Sequence, residues 1–131
     1  MEAPLRAAGA HSGTRALPLV DPSVLAELDA ELPGSARRFA LDFARLWGRR
    51  RDRLVGAVAA GGTDEAVDAV LSLKVSSMMV GAPRLAWEAA RLESALRAGG
   101  GDLAEMCAVI AECGVRTVEA LGEAWPQDAG H

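Results

Sequence analysis

Few side chains in this sequence combine a reactive type with a spacing that could do chemistry. The two histidines, His11 and His131, stand near the ends of the chain with no carboxylate or cysteine partner at metal-ligand spacing, so both read as bystanders. Cys107 and Cys113 would point about 120° apart on a helix. That disfavours a shared metal and fits buried, apolar thiols. No metal and no cofactor is expected. Gly61-Gly62 and Gly99-Gly100-Gly101 have neither a strand before them nor a Lys-Ser/Thr after them, so they are helix breaks and not phosphate cradles. Ser72, Ser76 and Ser77 are nucleophiles by type, but serine needs an activating base and none is close in sequence. Arg49, Arg50, Arg51 and Arg53 surround Asp52. They read as a solvated helix face with local ion pairs; the alternative is docking to an acidic protein surface, which salt would weaken.

Composition sets what must position these residues. At 131 residues, half of them hydrophobic, the chain suits one compact domain that buries its own core. The net charge of -4, from 14 basic and 18 acidic residues, argues against a nucleic-acid partner, which calls for a basic surface. Two cysteines are too few for a disulfide framework and suit a reducing cytoplasm. The longest apolar stretches, such as Leu54 to Ala60, fall far short of the roughly 20 residues a membrane span needs, so no membrane partner is expected. Aromatics make up 4 % of the chain, with no tyrosine, while Ala, Leu, Glu and Arg abound. That balance favours helices over strands and predicts an all-α domain.

The pattern divides the chain into a tail over 1–19, a bundle over 20–122 and a second tail over 123–131. Asp21-Pro22 can cap and open a short helix with Val24, Leu25, Leu28 and Leu32 on one stripe. Ser35 is expected to cap a second helix carrying Phe39, Phe43, Leu46, Trp47, Leu54 and Val58; Gly48 would either kink it or split it. Thr63 is expected to cap a third helix from about Asp64 to Val80, with Asp64 and Glu65 in the first turn. Pro83 opens a fourth, striped by Leu85, Ala89, Leu92 and Leu96. Asp102 caps a fifth, whose inward residues are Leu103, Met106, Cys107, Ile110, Val118 and Leu121. Four long helices with short glycine-rich connections make an up-and-down four-helix bundle, with the short helix across one end.

One segment carries a resemblance. Leu73, Lys74, Ser76, Ser77, Gly81, Ala82, Leu85, Leu92 and Glu93 match, without a gap, the signature of the histidine phosphotransfer (HPt) domains of bacterial phosphorelays. That signature runs His-x-Leu-Lys-Gly-Ser-Ser, then Gly-Ala, Leu and Leu-Glu. Val20-Asp21-Pro22 with Leu25 and Leu28 also resembles the start of that family, and the likeness spans about Leu19 to Leu121. It implies the HPt type of four-helix bundle and a place in two-component signalling.

The departures are chemical. The phospho-accepting histidine of the family falls on Leu71, and a leucine has no lone pair with which to attack an aspartyl phosphate. The family glycine that keeps space around the histidine falls on Val75, which at i+4 lies beside Leu71. Lys74, which in the family would help neutralise phosphate, is retained. The resemblance therefore implies a degenerate HPt-like domain that keeps the fold, has lost phosphotransfer and is not an enzyme.

On the third helix, Val70, Leu73, Ser77 and Val80 form one stripe, expected in the core. Val67, Leu71, Lys74, Val75 and Met78 form a second, which in the resembling family faces the receiver domain. A helix apolar on two faces must bury both, expose a patch or meet a partner. Leu71 and Val75 either build an interface or fold under a neighbouring helix or tail. Met78 and Met79 suit either case. Trp87 lies about 200° from Leu85 and is either an interface anchor or packed on the first helix. The expected partner is a response-regulator receiver domain or a histidine kinase, bound through Val67, Leu71, Lys74, Val75, Met78 and Trp87. The alternatives are a self-associating structural bundle with its second stripe buried in a homodimer and no phosphorelay role, or phosphotransfer through a non-histidine acceptor. For the leading reading, self-association is expected to be at most a weak homodimer.

Overall fold

The computed structural model describes residues 17–125, and the described residues are all-α. Five helices follow one another: α1 (Pro22–Glu31), α2 (Ser35–Ala59), α3 (Thr63–Met79), α4 (Pro83–Ala98) and α5 (Leu103–Ala124). The four long ones close a ring in which α2 packs on α3 and α5, and α4 packs on α3 and α5, while α1 packs on α2. No described helix is long and apolar enough to cross a membrane.

The predicted stripes form the core. Leu85, Ala89, Leu92 and Leu96 of α4 are buried, as are Val70, Leu73, Ser77 and Val80 at α3 and its C-cap. From α2 come Phe43, Trp47 and Leu54; from α5 come Cys107, Ile110 and Leu121. Each fully buried leucine or isoleucine contributes about 1.5–3 kcal/mol by leaving water. Phe39, Val58, Leu103, Met106 and Val118 are partly buried against that core. α2 runs unbroken through Gly48, because both sides of the glycine are held by core residues. Trp47 of α2 packs directly on Gly114 of α5, where an added Cβ would fall within the indole ring.

Local capping explains where helices start, with two corrections. Asp21 caps α1 by accepting from the Ser23 amide at 3.1 Å, and Asp102 caps α5 by accepting from the Glu105 amide at 3.1 Å. Ser35 does not cap α2. It is the first helical residue, and the cap comes from α1, whose Asp29 Oδ1 accepts from the amides of Gly34 at 2.9 Å and Ala36 at 3.0 Å. Thr63 likewise sits inside α3, behind an N-cap at Gly62 that offers no side-chain bond. Leu32 is a third correction: α1 ends before it, and it is 55 % exposed.

α1 is fastened at both ends. Its start is held on the α3–α4 turn by the Asp21 amide donating to the Gly81 carbonyl at 2.7 Å, and its end caps α2 through Asp29. Leu25 is buried between them. Outside the helices, the Leu17 carbonyl accepts from Arg84 Nε at 2.9 Å, Leu19 and Val20 pack on the core, and Trp125 packs after the end of α5. The rest of the two expected tails, with His11 and His131, lies outside the described residues.

Candidate functional site

The stripe that the sequence singled out on α3 faces away from the ring. With the buried Leu73 and Ser77 turned inward, Leu71, Val75 and Met78 cluster within about 60° of one another on the opposite side, at about 100° per residue. Val75 is 52 % exposed and Met78 59 %. Leu71 is partly buried at their centre. Val67, one turn earlier, packs against the core, so it borders the patch and does not crown it. A face with two half-exposed apolar side chains around a third is a small greasy surface, and Met79, 51 % exposed, continues it at the end of the helix.

Lys74 flanks this patch and is not free. Its Nζ donates to Glu93 Oε1 of α4 at 2.8 Å, and Arg97 Nε donates to the other oxygen, Oε2, at 2.9 Å. Lys74 first and Arg97 second hold the Glu93 carboxyl below the ordinary glutamate value, against partial desolvation that pushes the other way. The sequence marked both Lys74 and Glu93 but gave no sign that they pair. They are 19 residues apart and meet only because α3 and α4 are neighbours.

Trp87 lies apart from the patch. On α4, Glu93 is the residue that reaches α3, and Trp87 stands about 120° around the helix from it. It is partly buried on the flank that carries Arg91, whose guanidinium carbon lies 5.3 Å from the ring centroid, a cation–π pair. Arg91 also donates to the buried Glu88 at 3.3 Å.

The arginine-rich stretch of α2 is partly paired. Arg53 donates to Asp68 of α3, and Arg51 to Asp52. Arg50 has no ion-pair partner among the described residues. Next to it runs an apolar groove between α2 and α3, lined by Phe39, Phe43, Leu46 and Met79 with Asp42 and Arg50 at its edge. Nothing in the spacing announced this groove, because Phe39 and Leu46 read as core.

The hydroxyls and thiols are structural. Ser76 Oγ donates to the Ser72 carbonyl at 2.8 Å, a local helix bond, and Ser77 is buried. Cys107 and Cys113 are free and buried, and burial pushes both thiols up. Among the described residues no group of three His, Cys, Asp or Glu could hold a metal. No protein-family model matches this chain, and searches of the curated proteins and of the solved structures return no match.

Proposed function

We propose that the chain is a protein-docking module, a degenerate HPt-like bundle that binds a receiver domain or its kinase through α3 and carries no phosphate. One observation supports this above the others: Val75 and Met78 lie half exposed on either side of Leu71, the position where the resembling family has its histidine. A surface that would surround an acceptor imidazole is here apolar. The retained lysine is tied to Glu93 at 2.8 Å, a partner that a phosphoryl group would have to displace. Such a face keeps what recognition needs, namely apolar area with charge at its rim, and lacks the nucleophile. A domain of this kind competes with true phosphotransfer proteins for the same receiver surface.

The test mixes the full chain with a phosphorylated receiver domain and follows the label, then measures binding to the unphosphorylated receiver by calorimetry. The expected result is no acid-labile phosphate on this chain, together with binding that Val75→Asp weakens at least tenfold, about 1.4 kcal/mol. Stoichiometric label on the chain overturns the loss of phosphotransfer. Failure to bind receivers and kinases alike overturns the docking role.

A further inference from the structure

We propose that a second copy of this chain occupies the groove along α1, α2 and α3, forming a twofold dimer centred on Met79, on a face that adjoins the Val75 patch along α3. The groove is two adjoining clefts that share Phe39 and Met79 as their common wall. Met79 stands at the junction and is 51 % exposed. The floor is apolar from Val24 and Leu28 of α1, past Phe39, to Leu46 of α2. Its two ends carry opposite charge. Glu27 and Glu31 edge the α1 end, and Arg50 edges the far end. Asp42, which lines the same cleft as Arg50, pairs with Arg45 at 3.9 Å, whereas Glu27, Glu31 and Arg50 have no ion-pair partner among the described residues.

That order, acid then apolar then base, is self-complementary. In a twofold interface the same surface faces itself in reverse. With the axis through the Phe39–Met79 junction, the Glu27 and Glu31 end of each copy lies over Arg50 of the other, while the two Met79 side chains meet at the centre. Methionine suits such a seam because its flexible thioether fits an irregular partner surface. The charge that stands unpaired in one copy is matched by the other, and placing it wrongly is penalised.

Sedimentation equilibrium of the full chain, from micromolar to millimolar concentration, tests the proposal. A monomer–dimer equilibrium is expected, weakened at least tenfold by Met79→Asp and by Arg50→Glu, and less by Val75→Asp one turn away. The diagnostic is the swap: Arg50→Glu combined with Glu27→Arg and Glu31→Arg restores the dimer that Arg50→Glu alone has lost. Helical circular dichroism keeps loss of association separate from loss of fold. A chain that stays monomeric throughout overturns the proposal, as does a monomer that dimerises only after residues 1–16 are removed, since that segment would then be the occupant. A dimer more sensitive to Val75→Asp than to Met79→Asp overturns it too, by centring the contact on the Leu71 patch.

Discussion

Lys74 of α3 and Glu93 of α4 meet at 2.8 Å across a half-buried seam, and Arg97 completes a three-member cluster on the same carboxylate. The cluster ties the candidate docking helix to its neighbour through partly exposed side chains, so solvent screens part of its strength. It also fixes the lysine away from the outermost part of α3, where Leu71, Val75 and Met78 are left to define the surface.

Because Lys74 and Arg97 lower the Glu93 pKa in the folded chain, the cluster contributes stability above the unfolded carboxyl pKa of about 4.3. That contribution is lost as pH falls through the lowered folded value. Thermal melts across the acid range are expected to show a falling midpoint in the native chain. In Glu93→Gln the midpoint is lower at neutral pH and the acid-side slope is shallower. Equal slopes in both chains would mean that the cluster adds nothing.

Gly114→Ala is expected to be among the most costly small substitutions in the molecule. The added Cβ would occupy the ring of Trp47, which is buried, so either α5 moves away from α2 or the indole leaves its rotamer. Overpacking of this kind costs about 1–3 kcal/mol. Urea melts followed by tryptophan fluorescence would register both the loss of stability and the displaced indole.

The contrast between what the sequence disclosed and what it hid follows from distance along the chain. Asp21-Pro22, Asp102 and the glycine breaks were legible because a cap or a stop is decided within a few residues. The caps assigned to Ser35 and Thr63 were misplaced: Asp29 reaches α2 from the preceding helix, and no local pattern announces a cap supplied from outside. The continuity of α2 through Gly48 was undecided in sequence and is settled by packing on α3 and α5. The two faces of α3 were readable from a 3.6-residue period, but the exposures of Leu71, Val75 and Met78 depend on what stands beside them. Trp47 against Gly114 and Lys74 against Glu93 join different helices, and one sequence without its fold carries no signal for either.

Gly81 marks where α1 is held. Its φ is +73°, and a Cβ there would lie 2.7 Å from the Asp21 carbonyl oxygen and 2.9 Å from Val24 Cβ. Gly81→Ala therefore combines left-handed backbone strain with a clash against α1, at a cost of about 1–3 kcal/mol. Hydrogen exchange is expected to quicken at Leu25 and Leu28 of α1, while Leu92 of α4 keeps its protection. Uniform quickening would show that α1 unfolds only with the whole bundle.

Neither thiol should react readily while the chain is folded. Burial raises both pKa values. At Cys113 the nearby Glu88 charge adds to the rise, and the Thr117 hydroxyl, 4.0 Å away, partly offsets it. Thiolate is the reactive form, so labelling by a disulfide reagent at pH 8 is expected to be slow in buffer and complete in denaturant. Rapid labelling of the native chain would reveal local opening of α5.

Val75 and Leu71 are neighbours on one face of α3, yet the two should answer differently to the same charge. Val75 is 52 % exposed, so Val75→Asp places its carboxylate in water and is expected to change stability by no more than about 0.5 kcal/mol. Leu71 is partly buried, and Leu71→Asp buries part of a charge with no cation assigned to it, since Lys74 is already held by Glu93. A cost of about 1–3 kcal/mol follows. Equilibrium unfolding of the two variants separates the contributions, and receiver binding measured on the same samples shows which is functional. If Val75→Asp leaves the fold intact and abolishes binding, the exposed side chain serves recognition. If both variants unfold the bundle alike, the stripe belongs to the core and the docking role falls with it.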